Sequence, residues 1–268
     1  MDILENEQLR YAQNQINLEI LQISYGLLDP LWNFRDLHSS FTRVYIPLCG
    51  EASVTVKGER IPLIPGNIYL LPAGLPFSCS CPNSMKKIFV HLLLKRPDGS
   101  DLLASVGQCV VLKDREEEVE QIRQYYERLD MAAVLSLKRI LYGIAEQALL
   151  TADAAKAEIR PYSECTKAAL AYIQEHLCAS LSIDEIANAL FRSKISLQKH
   201  FRKDMGKPIG RYIDDCIIAA AERELLKQKL SVKEISDRLG FCDQFYFSRK
   251  FSKVHGIGPS RFRKIHQI

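Results

Sequence analysis

Ser182-Ile-Asp-Glu185-Ile186 is matched 49 residues later by Ser231-Val-Lys-Glu234-Ile235. Each is Ser-x-x-Glu before an apolar run, the pattern in which a serine hydroxyl and a glutamate carboxylate satisfy the free N–H groups of a helix start reciprocally. The match continues downstream. Leu190, Leu197, Phe201 and Gly206 have counterparts in Leu239, Phe247, Phe251 and Gly256, the second copy carrying one extra residue after its turn. The spacing predicts, twice, a helix of about eight residues, a short turn and a helix of about twelve, which is a helix-turn-helix. One long helix near Pro208–Lys229 joins the copies, with Pro208 at a first-turn position. Two copies in register set the architecture of the second half.

The charge balance agrees. Residues 1–155 hold 15 Lys+Arg against 19 Asp+Glu, and residues 156–268 hold 21 against 13, so a net +4 conceals an acidic front half and a basic back half. A polyanion is expected to meet the back half alone. With 268 residues, 47% hydrophobic and 25% charged, the chain is ordinary globular material for about two domains. Apolar runs such as Cys216–Ala221 fall far below the roughly 18 residues of a membrane span, and the acidic start Met1-Asp-Ile-Leu-Glu-Asn-Glu has no secretory pattern. The eight cysteines are then expected as reduced thiols in a cytoplasmic protein. No membrane partner is expected.

In each copy the second helix is the element that can enter a major groove. Within Lys194–Lys203, Leu197 and Phe201 form an i, i+4 core pair, and Ile195, Gln198, Lys199 and Arg202 fall on the opposite face. Within Asp243–Phe251, Phe247 and Phe251 are core, and Gln244, Phe245, Ser248 and Arg249 are the open face. Arg249 suits the O6 and N7 acceptors of guanine. Lys250, Lys253, Arg261 and Lys264 suit phosphates, which give affinity without sequence information.

Gly240-Phe-Cys-Asp-Gln-Phe-Tyr-Phe-Ser-Arg-Lys-Phe251, followed by Lys253, Gly256, Gly258-Pro259-Ser260 and Phe262-Arg263, resembles the signature of AraC/XylS-type transcription regulators. The resemblance spans Tyr162–Lys264 and implies two subdomains with recognition helices in successive major grooves, about 34 Å apart. It places base readers on Ile195, Gln198 and Lys199, and on Gln244, Phe245 and Arg249. Two departures stand out: Leu190-Phe191-Arg192 lacks the turn glycine that Gly240 supplies in the second copy, and Ile195 cannot hydrogen-bond a base. The resemblance also implies double-stranded DNA and RNA polymerase as partners.

The front half reads as short strands between Gly/Pro turns, following an N-terminal arm: Phe41–Leu48, Ala52–Val56, Arg60–Leu63, Ile68–Leu71 and Lys86–Leu94. A small antiparallel barrel or sandwich is expected. Past Asp114 the period turns helical, over Arg115–Leu129 and Ala132–Leu150, the latter with a stripe of Leu137, Leu141, Ile144 and Ala148. Thr151–Glu158, with Pro161 just beyond, reads as a linker. Pro65–Phe77 resembles the second half of a cupin barrel, the sensor domain of many such regulators. That resemblance puts a small-molecule effector, a sugar among the candidates, near His38, Arg43, Tyr45, Phe77, Phe89 and His91. Each of these residues reads equally well as barrel core. Trp32 sits before the expected barrel, either on a ligand or anchoring the arm.

A metal-dependent cupin enzyme is the rival reading. It needs a His-x-His…Glu group and a later histidine. The strands Phe41–Val56 hold no histidine, Phe77 stands where the later ligand belongs, and His38 and His91 lie 53 residues apart. Cys49, Cys79, Cys81 and Cys109 read as small buried hydrophobes rather than a zinc or redox site. No metal, cofactor or catalytic residue is expected.

The fold class expected is therefore α+β, a cupin-like antiparallel barrel with trailing helices (1–155) and an all-α double helix-turn-helix domain (160–268). The function expected is a transcription regulator, an activator, that binds an effector and forms a homodimer through Ala132–Leu150. A barrel serving dimerisation alone is a further alternative.

Overall fold

The computed structural model describes residues 13, 16–96, 98–128, 130–152, 162–227 and 229–265. The chain divides between residues 157 and 158 into two compact units. The linker expected from Thr151 to Glu158, with Pro161 beyond, lies outside the described residues from 153 onward, and Thr151 itself closes a helix.

The first unit holds β1 (Asn17–Leu28), β2 (Phe34–Leu37), β3 (Thr42–Gly50), β4 (Ser53–Val56), β5 (Glu59–Pro62), β6 (Ile68–Leu71), β7 (Phe77–Ser80), β8 (Met85–Lys95) and β9 (Val110–Leu112), then α1 (Glu116–Tyr126) and α2 (Met131–Thr151). The strands form two antiparallel sheets, ordered β1-β8-β3-β6-β9 and β2-β7-β4-β5. Among the described residues no ladder joins the sheets, so the expected barrel is an open two-sheet sandwich. Trp32, expected ahead of the barrel, lies between β1 and β2 and is buried.

Side chains alternate across a strand, and the larger sheet uses its two faces differently. Val44 and Ile46 of β3 and Ile88, Val90, Leu92 and Leu94 of β8 form one apolar core with Leu137, Leu141, Ile144 and Ala148 of α2. The stripe expected on that helix is the one buried. Tyr142 of α2 also accepts the Leu18 N–H through its hydroxyl, at 3.1 Å. The opposite face carries Arg43, Tyr45, Lys87, Phe89 and His91, and it looks toward the second sheet, since Arg43 lies 5.0 Å from the Phe77 ring centre on β7. β1 keeps both faces in register by a bulge. Ile20 faces Leu92 and Gln22 faces His91, so Leu21 is an extra residue that moves the helix-facing set from Leu18 and Ile20 to Ile23.

The second unit is all helix: α3 (Glu164–Glu175), α4 (Ile183–Ala189), α5 (Lys194–Met205), α6 (Ile209–Lys227), α7 (Val232–Arg238), α8 (Gln244–His255) and α9 (Pro259–Ile265). The expected pairs are α4–α5 and α7–α8, with α6 joining them. At Ser231 the capping box is complete: the hydroxyl accepts the Glu234 N–H at 3.2 Å, and the Ser231 N–H donates to Glu234 at 2.6 Å. That N–H holds the Glu234 carboxyl below the usual range. At Ser182 only the hydroxyl half forms, at 3.1 Å from the Glu185 N–H; the reciprocal bond expected there is absent.

Both helix pairs pack on α6. Phe201 meets Tyr212 at 5.3 Å between ring centres, and Phe247, Phe251 and Phe262 form an edge-to-face chain. At its end His255 Nε2 lies 2.9 Å from Glu222 Oε1, with both side chains almost wholly buried. Removing one member of such a pair strands the other away from water. Glu222→Ala is therefore expected to lower the stability of the second unit by about 3 kcal/mol, read as a shifted urea midpoint; a change below about 0.5 kcal/mol would rule out a structural role for the pair.

Candidate functional site

The second helix of each pair is oriented by a cap at one end and a core pair in its middle. Ser193 accepts from the Ser196 N–H to start α5, and Asp243 accepts from the Tyr246 N–H at 2.7 Å to start α8. That bond, with burial opposing it, leaves the Asp243 carboxyl below its ordinary range. Leu197 with Phe201, and Phe247 with Phe251, are fully buried, so each opposite face must turn outward. Both helices end in a left-handed glycine, Gly206 at φ 68° and Gly256 at φ 70°.

The turns before them have one geometry and different residues. Gly240 takes φ 72° and donates to Asp237 O at 3.1 Å; Phe191 takes φ 50° and donates to Asn188 O at 3.1 Å. The missing glycine is thus replaced by a strained phenylalanine, whose side chain is 95% exposed. The single extra residue of the second copy, Cys242, follows this turn.

Ile195, Gln198, Lys199 and Arg202 are all exposed on α5. Gln198, Lys199 and Arg202 line a groove of about 300 Å³ closed by Pro208 and Ile209 at the start of α6. On α8, Phe245 and Arg249 are exposed, whereas Gln244 and Ser248 are half-buried. Ile195 and Phe245 occupy the same place, second residue of their helices. Lys253, Arg261 and Lys264 are exposed. Lys250 is not an open phosphate ligand: its ammonium pairs with Asp214 of α6 at 2.5 Å, which braces the reading helix.

Of the residues expected around an effector, Arg43, Tyr45, Phe77, Phe89 and His91 are buried between the sheets, and His38 is half-buried in the loop after β2. One member of this interior went unrecognised in the sequence, Lys87, and it lies beside Trp32, which was expected either on a ligand or anchoring the arm. The Lys87 ammonium lies 3.6 Å from the Tyr45 ring centre, 4.2 Å from Trp32 and 5.6 Å from Phe89. Burial pushes this amine down to about 7, the nearby Arg43 cation adding to the effect. The signal was present, because Lys87 precedes Phe89 and His91 at strand spacing. Burial raises Cys79 to about 11 and the half-buried Cys109 to about 12, as in inert thiols, whereas Cys49, expected as a buried hydrophobe, is exposed. Among the described residues no three His, Cys, Asp or Glu side chains converge as a metal site, and no helix is long and apolar enough to cross a membrane.

Residues 186–265 match the helix-turn-helix domain family. The HTH-type transcriptional activator AarP of Providencia stuartii is 37% identical over 94 residues, covering 35% of this chain and 70% of AarP. The chain belongs to the AraC/XylS family of transcription regulators. This AraC/XylS regulator is also 32% identical over 104 residues to the arabinose operon regulatory protein of Escherichia coli K12; the match covers 38% of this chain and only 36% of that protein. Over 91% of this chain the fold is similar to that of ToxT from Vibrio cholerae, with a TM-score of 0.58 at 13% identity and 98% of ToxT covered. It is a DNA-binding transcription regulator.

Two tests follow from this geometry. A non-glycine residue with left-handed backbone costs about 1–2 kcal/mol, so Phe191→Gly is expected to stabilise the second unit by about 1 kcal/mol, measured by thermal unfolding; destabilisation would show that the phenyl ring is anchored. Lys87 binds its proton more tightly in the unfolded chain, so the first unit should grow more stable as pH rises from 7 toward 8.5. Arg43, Tyr45, Cys79 and Cys81 face this amine, and the raised thiols oppose the trend only at higher pH. A gain of about 1–2 kcal/mol over that window is expected, and Lys87→Met should abolish it.

Proposed function

We propose that residues 160–268 grip two successive major grooves and that residues 1–155 sense a small molecule which controls that grip. The observation that carries the reading is the matched pair of outward faces, Ile195, Gln198, Lys199 and Arg202 on α5, and Gln244, Phe245, Ser248 and Arg249 on α8. They follow equivalent caps on either side of a 19-residue helix, about 28 Å long. Arg249 reads guanine, Gln198 and Lys199 read base edges, and Ile195 and Phe245 touch thymine methyls. Lys253, Arg261 and Lys264 hold phosphates, while Lys250, paired with Asp214, holds α8 against α6.

In this proposal the protein is an activator, as AarP is named, and acts with RNA polymerase. Met131, Leu135 and Leu150 are exposed along α2, which supports a homodimer through that helix. An effector between the sheets is supported by the buried polar face of β3 and β8. It is also supported by the shared fold with ToxT, which has been solved with an unsaturated fatty acid bound. Effector binding shifts the population of arrangements in which both reading helices reach DNA.

Operator sequences selected from a random duplex pool supply the test. Affinity should fall with salt at a log–log slope of several units. Arg249→Ala should relax one base position by about 1–3 kcal/mol, whereas Lys253→Ala should weaken all sequences alike and lower the slope by about 1. Equal losses on selected and random DNA for both variants would refute these roles. Deoxyuridine at the thymine under Phe245 should weaken wild-type binding several-fold and leave Phe245→Ala unaffected.

A further inference from the structure

The face of the larger sheet that looks into the sandwich is unusual for a protein interior. It carries two cations, Lys87 and Arg43, that are 1% and 3% exposed. Removing a cation from water is costly, and aromatic faces return only part of that cost. The Tyr45, Trp32 and Phe89 rings around Lys87 offset part of that cost. Among the described residues nothing else does: the Lys87 ammonium makes no hydrogen bond and no ion pair to a carboxylate. The buried carboxylates Asp98 and Asp101 lie beyond the far end of β8, past Lys95, and Asp101 is already engaged by the Thr42 hydroxyl and the Leu94 and Leu103 N–H groups. On the same face, Gln22 Oε1 is buried without a donor. The interior therefore holds an unmatched donor and an unmatched acceptor.

We propose that the effector is an organic acid, its carboxylate received by Lys87 and Arg43 and its apolar body by Trp32, Tyr45 and Phe89. This rests on the reading that the sandwich senses a small molecule, and it names that molecule's class. A carboxylate supplies the charge and the acceptor that Lys87 lacks. A neutral sugar supplies no counter-charge. Desolvation makes the site selective: the ionised acid supplies the counter-charge that Lys87 lacks, whereas its amide does not.

Trp32 is the only tryptophan of the chain and lies in contact range of the Lys87 ammonium, so its fluorescence reports on the site directly. The full-length protein would be titrated with 3-phenylpropionate and with decanoate, each beside its primary amide. Saturable emission changes are expected for at least one acid, with the matching amide binding at least tenfold more weakly. Lys87→Met should lower the acid's affinity at least tenfold and leave the amide's unchanged. Acid and amide binding equally, an acid affinity unaffected by Lys87→Met, or no response to either acid overturns the proposal. The acid–amide comparison in the wild type stands even if the variant fails to fold. A neutral metabolite that alters Trp32 emission while both acids do not would discard the acid and keep the sensing role. No DNA response to any bound compound would remove the sensing role itself.

Discussion

Four side chains, Leu197, Phe201, Phe247 and Phe251, have to leave water, and the direction in which α5 and α8 present their outward faces depends on it. Each pair lies at i, i+4, so burying it fixes the rotation of its helix. Ile195, Gln198, Lys199 and Arg202 are outward because Leu197 and Phe201 are inward; the same relation turns Phe245 and Arg249 outward on α8. The caps at Ser193 and Asp243 then set where each face begins. A helix of 12 residues has little stability alone, and its order comes from packing against α6. That shared surface makes α6 more than a spacer, since one helix receives Phe201 through Tyr212, the Lys250–Asp214 ion pair and the buried Glu222–His255 contact.

The front unit solves a different problem with the same alternation rule. A strand in the middle of a sheet has two buried faces. On β3 and β8 one face is aliphatic and closes on α2, which supplies the stability of the unit. The other collects Arg43, Tyr45, Lys87, Phe89 and His91. Placing cations inside is costly, and stability alone would favour aliphatic residues there. Separating the two faces lets the unit keep a firm core while holding a charged, aromatic interior that packing does not require.

The differences between expectation and structure have local causes. β1 hides its alternation because the bulge at Leu21 shifts the apolar set by one residue, so a 12-residue strand paired along β8 reads as an irregular arm. β9, at three residues, is too short to show a period. Phe191 stands where a turn glycine belongs, yet the bonds around it repeat those of Gly240, since the surrounding helices dictate the turn and the side chain points into solvent. Lys250 belongs to the run of basic residues in sequence, but its neighbour in space is Asp214, 36 positions away. The capping box at Ser182 forms by halves, although its residues repeat those at Ser231.

What the sequence by itself determined is whatever depends on near neighbours along the chain. The repeat, the caps, the buried i, i+4 pairs and the exposed reading faces follow from helical periodicity and from the free N–H groups of a helix start, and all are local. What only the tertiary structure decided is whatever depends on partners brought from afar. Lys87 becomes a buried, caged cation because β1, β3 and the segment carrying Trp32 enclose it, and the expected barrel is an open sandwich because, among the described residues, its two sheets share no hydrogen-bonded edge. Those contacts join residues tens of positions apart; strand spacing puts Lys87 on one face with Phe89 and His91, but not beside Trp32 or Tyr45.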